Sequence, residues 1–208
     1  MHHIIFDLGG VVFDWSPDAI IQAVFQEPEI QARVRREVFE HPDWVETDRG
    51  TLSRADAVVR WARRTGRSIQ EMKAMMHQAD VSMQPKADTL ALMEELAGQG
   101  LPLYCLSNMP AERYAYLQRT HGFWDLFSGI IISAHVKMVK PEPGIFEHLL
   151  ATHDLAPASS LFIDDSHTNI RAARSVGIHG ILFTTAAACR QQIELFMFPL
   201  ARQRPTES

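Results

Sequence analysis

Short apolar runs and longer stretches of helical periodicity alternate along most of this chain. Five runs are short and apolar enough to be buried strands, and each of the last four follows a segment with the repeat of an amphipathic helix. The predicted strands cover residues 3–7, 102–106, 129–133, 160–163 and 180–183. Such alternation is typical of parallel strands joined by crossover helices. The pattern therefore predicts an α/β fold with a doubly wound, parallel, five-stranded Rossmann-like core sheet.

The stretch from residue 16 to 82 breaks this alternation. It is rich in Arg, Glu, Gln, Ala, Trp and Met, has the periodicity of several helices, and contains no convincing strand. It is also too long for an ordinary connection between a strand and a helix. We therefore predict an inserted α-helical cap at 16–82 and a core domain formed by 1–15 and 83–208. The tail after Phe198 is expected to fray.

Composition and charge add only broad limits. The chain has 208 residues, 46% of them hydrophobic, and a formal net charge of −5 at pH 7. These values allow a soluble globular enzyme and give no general attraction to nucleic acid or to an anionic membrane. No apolar stretch reaches the roughly 18 residues of a membrane span, and nothing like a leader precedes the first strand. We expect a cytoplasmic protein without nucleic-acid or membrane partners, and the sequence does not indicate its oligomeric state.

Residues that could take part in catalysis or binding stand at the ends of the apolar runs. The residues at these ends are Asp7, Ser107 with Asn108, Lys140, and Asp164 with Asp165. In open α/β sheets, ligands bind in the crevice at the carboxyl ends of the strands. Taken singly, an Asp beside glycines, a Ser-Asn pair or a Lys-Pro pair is common in turns, helix caps and surface loops. Their succession at strand ends predicts one site in which they meet.

The adjacent carboxylates of Asp164 and Asp165 give the most specific chemical signal. Neighbouring carboxylates repel each other unless a cation lies near them. Hard oxygen ligands suit Mg²⁺, which usually takes one or two protein carboxylates and keeps several waters. Asn169 lies four residues further on, where its side chain could brace this loop or Lys140. A purely structural role for the pair stays open, but the sequence favours a magnesium site.

With these motifs in order, the chain resembles the haloacid dehalogenase-like hydrolase superfamily from Ile4 to about Leu195. The motifs that carry the resemblance are Phe6-Asp7-Leu8-Gly9-Gly10-Val11, Leu106-Ser107-Asn108, Val139-Lys140-Pro141-Glu142-Pro143-Gly144-Ile145-Phe146, and Phe162-Ile163-Asp164-Asp165-Ser166 with Asn169. The family places a small helical cap between its first two motifs, where this chain has its helical insert. Within the insert, the segment from Asp48 to Ser53 is similar to a cap segment of a subgroup that includes sugar-phosphate phosphatases.

The resemblance implies a Mg²⁺-dependent phosphatase that acts on a small phosphorylated metabolite of the sugar-phosphate class. Asp7 would attack phosphorus and form an aspartyl-phosphate intermediate. Asp7, the backbone carbonyl of Gly9 and Asp165 would hold Mg²⁺ directly, with Asp164 acting through a water molecule. The resemblance thus assigns metal ligands to Asp7, Gly9, Asp164 and Asp165.

The same resemblance implies how the phosphoryl group would be held. Ser107 and the backbone around Asn108 would bind its oxygens, and Lys140 would offset the crowded negative charge. The catalytic residues would then be Asp7, Ser107 and Lys140. In the predicted cap, Arg49 is the one residue that we expect to contact the substrate.

Gly9 departs from the family pattern, because most phosphatases of the superfamily carry there a second aspartate that protonates the leaving group. General acid–base catalysis contributes about 10²–10⁴ in rate. The substrate could have a better leaving group, such as a sugar 1-phosphate or an acyl phosphate. Alternatively a water or a side chain donates the proton, the candidates being His41, Asp48 and Asp14. Or the chain is a weakly active or inactive relative that binds a phosphorylated ligand or a protein partner.

A second enzyme activity also stays open. L-2-haloacid dehalogenases of the family use the aspartate on carbon, need no metal, and likewise lack the second acid. They usually have Tyr-Gly-Thr after the nucleophile, where this chain has Leu8-Gly9-Gly10. They also have no need of the cation that the pair Asp164 and Asp165 predicts. The sequence therefore favours the phosphatase.

The aromatic and methionine residues of the insert are expected to be structural. Their spacing favours packing of the cap or of its hinge over contact with a ligand. The residues concerned are Trp15, Trp44, Trp61, Met72, Met75 and Met76.

Overall fold

In the computed structural model, which describes residues 2–197, one five-stranded sheet forms the centre of the chain. Its strands are His3–Phe6 (β1), Leu103–Ser107 (β2), Phe127–Ile132 (β3), Ser160–Asp164 (β4) and His179–Leu182 (β5). The spatial order is β3-β2-β1-β4-β5, and every neighbouring pair is parallel. The predicted α/β, Rossmann-like sheet is confirmed, with each strand end within two residues of its predicted position. The predicted frayed tail lies outside the described residues.

Helices occupy the connections between the strands. In the described part of the chain they are Pro17–Val24 (α1), Pro28–Val34 (α2), Pro42–Arg49 (α3), Arg54–Thr65 (α4), Ile69–Val81 (α5), Ala87–Gly98 (α6), Ala111–Thr120 (α7), Ser133–Val136 (α8), Pro143–His153 (α9), His167–Ser175 (α10) and Ala186–Met197 (α11). A π-helical turn, Arg35–Phe39, follows α2. Among these helices we find none with the length and apolar character to cross a membrane.

Both faces of the sheet are buried by helices. Ile4 and Phe6 belong to a hydrophobic cluster with residues from α6, α7 and α11, while Ile5 belongs to another with residues from α9 and α10. Successive residues of a strand point to opposite faces, so both faces of β1 must be apolar. This two-sided burial explains why the strands are near-continuous apolar runs rather than alternating ones.

The helices α1 to α5 lie between β1 and α6 and have a hydrophobic cluster of their own. In it the rings of Trp44 and Trp61 stack with 5.7 Å between centroids, and the methionines of α5 are buried. These contacts confirm the predicted packing role of Trp61 and the three methionines, whereas Trp15 and Trp44 also line a pocket. The division into a core and a cap at 16–82 stays a prediction.

Local sequence signals set the ends of these helices. Ser68 and Glu71 form a capping box at the start of α5. α3 ends at Gly50, whose φ of 72° lies in the left-handed region that glycine adopts without strain. Gly50 also allows a close approach, because a Cβ at this position would lie 2.9 Å from the carbonyl oxygen of Ala134 in α8. The end of α3, with Asp48 two residues earlier, is therefore held against α8.

Candidate active site

Three neighbouring parallel strands, β4, β1 and β2, end at the same edge of the sheet. Asp7 directly follows β1, Ser107 ends β2 and Asp164 ends β4. A pocket of about 190 Å³ opens at this edge, and its lining includes Asp7, Ser107 and Asp165. The structure thus brings together residues that are more than 50 positions apart in the chain, as the strand-end pattern predicted.

Lys140 bridges two carboxylates beside this pocket. Its Nζ lies 2.8 Å from Oδ1 of Asp7 and 2.8 Å from Oδ2 of Asp164, and its side chain is 1% exposed. Burial acts to lower the pKa of the Lys140 ammonium, but the charges of Asp7 and Asp164 outweigh burial and raise it. Lys140 is therefore a fixed positive charge between the two acids.

The Asp7 carboxyl lines the pocket and is held by Leu8, Lys140 and the side chain of Ser107. Its Oδ1 accepts a hydrogen bond from the backbone N–H of Leu8 at 2.7 Å and pairs with Lys140. Burial raises the pKa of Asp7 to about 7, although the charge of Lys140 acts in the opposite direction. A nucleophilic carboxylate must be ionised, so a further positive charge at this site would favour the reactive form.

Asp164 and Asp165 differ sharply in their surroundings. Asp164 is fully buried, and its oxygens accept from the backbone N–H of Ser166 at 2.7 Å, from Lys140, and from the amide of Asn169 at 3.0 and 3.1 Å. Asp165 is exposed and lines the pocket. Asp164 therefore organises the loop, and Asp165 has the more available carboxylate.

These donors fit a divalent cation. One carboxylate oxygen from each of Asp7, Asp164 and Asp165 lies within 4.8 Å of the others. Three carboxylates and the ammonium of Lys140 carry a formal charge of −2 (three negative and one positive), which a divalent cation would balance. Carboxylate oxygens are the ligands that Mg²⁺ prefers, so the residues present fit Mg²⁺ at this place.

Asn108 lines the pocket but its side chain serves the loop of Lys140. Its Nδ2 donates to the carbonyl of Lys140, and the N–H of Lys140 donates to its Oδ1, both at 2.9 Å. Ser107 is buried and lines the pocket beside it. The Asn108 amide therefore fixes Lys140, and the side chain of Ser107 hydrogen-bonds Asp7.

The other side of the pocket is formed by aromatic residues and a buried arginine. The rings of Trp15 and Trp44 lie 6.0 Å apart, and the guanidinium of Arg113 lies 5.0 Å and 5.5 Å from their respective centroids. Arg113 is 3% exposed, and its Nε donates to Asp80 at 3.0 Å. Sequence reasoning missed Arg113, because an arginine in the first turn of an ordinary amphipathic helix has no motif to mark it.

Comparison with known proteins gives the family. A model of haloacid dehalogenase-like hydrolases matches residues 1–177, which is most of the chain. The chain belongs to the haloacid dehalogenase-like hydrolases. The sesquiterpene phosphatase astK of Aspergillus oryzae is 32% identical over 184 residues, covering 88% of this chain and 90% of that protein. This hydrolase therefore has phosphatase homologues over nearly its whole length, consistent with a phosphoric monoester hydrolase.

Solved structures agree on the fold of the hydrolase. A HAD family enzyme of Bacteroides thetaiotaomicron, in complex with magnesium and inorganic phosphate, has a TM-score of 0.71 and 21% identity, covering 89% of this chain and 95% of that one. An L-2-haloacid dehalogenase of Xanthobacter autotrophicus has a TM-score of 0.66 and 21% identity, covering 100% and 92%. The shared fold alone therefore does not separate phosphatase from dehalogenase.

Gly9 of the hydrolase faces an aromatic wall where related phosphatases are expected to carry an acid. A Cβ built on Gly9 would lie 3.7 Å from the Cβ and Cγ of Trp15, which is ordinary contact. The neighbouring Gly10 is under a stricter constraint. Its φ is 77°, and a Cβ there would lie 2.1 Å from Oδ2 of Asp165. Gly10 therefore makes room for the exposed carboxylate, and no side chain in the first motif supplies a proton donor.

The structure places the remaining predicted residues differently. Arg49 is not among the pocket-lining residues and makes a bidentate pair with Glu142, at 2.8 and 2.7 Å. A substrate contact by Arg49 would require this pair to open, and that role stays a prediction. Of the three candidate proton donors, Asp14 is exposed, His41 caps the start of α3 outside the pocket lining, and Asp48 lies in the lining.

Proposed function

We propose that this hydrolase is a Mg²⁺-dependent phosphatase that works through an aspartyl-phosphate on Asp7. The observation that carries the proposal is the cluster of Asp7, Asp164 and Asp165 around Lys140. These four groups have a formal charge of −2, which a divalent cation would balance. A cluster of this kind serves phosphoryl transfer, in which positioning and charge stabilisation supply most of the catalysis. The phosphatase relative described above points to the same chemistry.

In the proposed reaction, Oδ2 of Asp7 attacks phosphorus while the Ser107 hydroxyl and the backbone around Asn108 hold the phosphoryl oxygens. Lys140 offsets the charge that accumulates on Asp7 and the phosphoryl group. Mg²⁺ would be held by Asp7, the carbonyl of Gly9 and Asp165, with Asp164 acting through water, and would neutralise phosphate charge. Water then hydrolyses the aspartyl-phosphate and releases inorganic phosphate.

We further propose that the leaving group is an apolar alcohol of the isoprenoid kind. Trp15, Trp44, Met83 and Met109 form an apolar part of a pocket that is otherwise lined mainly by charged and polar residues, and this part would contact an apolar substrate body. The relative named as a sesquiterpene phosphatase supports the same class. The sugar phosphates expected from the cap sequence are the second candidate, since Arg113 lines the pocket and offers a donor to hydroxyl groups.

Phosphate release from a small panel tests both proposals. Farnesyl phosphate, hexyl phosphate, glucose 6-phosphate and p-nitrophenyl phosphate are assayed with Mg²⁺ and with EDTA. We expect release only with Mg²⁺, a preference for the apolar esters, and no release by Asp7→Asn. Asp125→Asn, which changes an exposed aspartate, is the matched control and should keep its activity.

Other outcomes identify the alternatives. Halide release from an L-2-haloacid in EDTA would establish a metal-independent dehalogenase. Binding of inorganic phosphate without hydrolysis of any ester would favour an inactive binding protein. A preference for glucose 6-phosphate would restore the sugar-phosphate class. The cytoplasmic location stays a prediction, and the oligomeric state stays open.

A further inference from the structure

The proposed phosphatase needs a proton donor that the first motif does not provide. Among the pocket-lining residues of the described chain, the carboxyl groups belong to Asp7, Asp165 and Asp48, and no histidine is present. Asp7 and Asp165 belong to the cluster around Lys140. We infer that Asp48, on α3, is the general acid and base of this reaction and replaces the acid that Gly9 lacks. This inference rests on the proposed function.

The backbone around Asp48 is fastened to the core by three contacts. The Ser133 hydroxyl donates to the carbonyl of Asp48, and the ammonium of Lys137 donates to the carbonyl of Gly50 at 2.6 Å. Between them, Arg49 makes its bidentate pair with Glu142. A catalytic group must be held in place by contacts that do not themselves react. These contacts fix the end of α3 at the pocket, and none of them uses the Asp48 carboxyl.

The Asp48 carboxyl itself has an unused oxygen. Asp48 is 8% exposed, and its Oδ1 is buried without a hydrogen-bond partner among the described residues. A buried oxygen without a partner destabilises the folded state, and buried structural aspartates are normally hydrogen-bonded. Asp43, on the same helix and equally buried, is by contrast paired with Arg64 at 2.6 Å. Oδ1 of Asp48 therefore has no partner among the described residues, while the carboxyl also accepts a hydrogen bond from the side chain of Trp44.

The surroundings of Asp48 also favour the protonated form that an acid needs. Burial raises the pKa of Asp48 to about 7, against the opposing charges of Arg113 and Lys140. Asp7 and Asp165 are the other charged groups of the pocket lining, and Arg113 is itself paired with Asp80. A carboxyl poised near neutral pH can give a proton in one step and take one in the next.

With Asp48 as general acid and base, every proton and electron pair in the two steps is accounted for. As Oδ2 of Asp7 bonds to phosphorus, the bond from phosphorus to the leaving oxygen breaks and its electron pair stays on that oxygen. The leaving oxygen takes the proton of Asp48, which gives the free alcohol, the aspartyl-phosphate and an Asp48 carboxylate. Water then attacks phosphorus and loses a proton to Asp48, the bond to Asp7 breaks, and inorganic phosphate leaves.

Leaving-group dependence tests the role directly. kcat/KM is measured for hexyl phosphate, whose alkoxide needs a proton to leave, and for p-nitrophenyl phosphate, whose phenolate does not. In Asp48→Asn we expect kcat/KM for hexyl phosphate to fall about 10²–10⁴-fold, and the value for p-nitrophenyl phosphate to change by less than about threefold. Asp43→Asn, from the same helix, should affect both esters alike.

A burst experiment adds a second readout. Without its base, Asp48→Asn should hydrolyse the aspartyl-phosphate slowly, so one equivalent of p-nitrophenol should be released before a slow steady state. An equal fall of kcat/KM for both esters in Asp48→Asn, or no fall for either, would overturn the role of Asp48 and leave it a packing residue.

The wild-type protein gives a test that does not depend on the variant. With a proton donor in place, kcat/KM should depend only weakly on the basicity of the leaving oxygen across alkyl and aryl phosphates. A steep dependence would contradict the inference. If the wild type releases phosphate from no ester, the proposed phosphatase function is contradicted, and the role of Asp48 with it. If it is active and Asp48→Asn treats both esters alike, only the inference fails.

Discussion

Asp7 and Asp48 line the same pocket, and burial raises the pKa of each to about 7. Their neighbours nevertheless give them different roles. Asp7 pairs with Lys140 at 2.8 Å and shares the carboxylate cluster, so a bound cation would keep it ionised. Asp48 lies outside that cluster, so the same cation would lower its pKa less. Two carboxyl groups of one type can thus act as nucleophile and as acid, because their surroundings separate their protonation states.

The raised pKa of Asp48 predicts how stability changes with pH. Because the folded-state pKa exceeds the unfolded value of 3.8, the folded protein binds more protons between these pKa values, and Asp48 lowers stability as pH rises from about 4 to 7. Asp48→Asn removes this pH-dependent loss of stability. In EDTA, we expect its free energy of unfolding relative to wild type to rise by roughly 1–4 kcal/mol from pH 4 to pH 7. Urea unfolding at several pH values measures the difference.

The control for this measurement is the other buried aspartate of α3. The pKa of Asp43 is lowered: burial raises it, but the hydrogen bond and charge of Arg64 outweigh burial. Asp43→Asn should therefore lose stability relative to wild type as pH rises through the acid range. A difference between wild type and Asp48→Asn that does not vary with pH would contradict the assigned environment of Asp48.

At the scale of elements, the turn after β1 packs closely against the loop after β4. Gly10 and Gly100 have nearly the same positive φ, 77° and 78°, but only Gly10 has Asp165 in the space of a Cβ. Gly100→Ala should cost about 1–2 kcal/mol of stability through backbone strain alone. Gly10→Ala should cost more and also lower kcat by about tenfold or more, because Asp165 must move. Urea unfolding and phosphate release measure both effects, and equal behaviour of the two variants would contradict the close fit.

The pair of Arg49 and Glu142 connects α3 to the start of α9. The side chains are 21% and 46% exposed, so we expect a coupling free energy of only about 0.5–1 kcal/mol in a double-mutant cycle. If Arg49 acts only through this pair, Arg49→Ala and Glu142→Ala should raise KM equally, with no further rise in the double variant. If Arg49 contacts substrate as the sequence predicts, Arg49→Ala should raise KM in the Glu142→Ala background too.

At the scale of the whole molecule, folding gathers three carboxylates at one edge of the sheet and supplies one ammonium. A cation that binds the folded chain should therefore stabilise it, by about 2.7 kcal/mol at a hundredfold excess over Kd. For a chain of this size we expect thermal unfolding about 5–10 °C higher in Mg²⁺ than in EDTA. Asp165→Asn should lose most of this shift, and Asp125→Asn, an exposed control, should keep it. An undiminished shift in Asp165→Asn would place the metal elsewhere.

The sequence by itself determined the sheet and one half of the pocket. Strands such as β1 bury both faces, so their apolar runs are visible in the chain, and a parallel sheet must bring their carboxyl ends to one edge. Asp7, Ser107 and Asp164 could therefore be placed together before any coordinates. Lys140, in the loop before α9, was assigned by its motif.

The tertiary structure alone decided the other half of the pocket. Asp48, Trp44 and Arg113 reach it through the packing of α3 and α7, and that packing depends on contacts between distant segments such as Gly50 against Ala134. From the sequence alone, Asp48, His41 and Asp14 were equal candidates for the proton donor. Arg49 was the one residue of the predicted cap that was expected to contact the substrate. Burial then separated them, because the pKa and the free oxygen of a carboxyl depend on the neighbours that folding gives it.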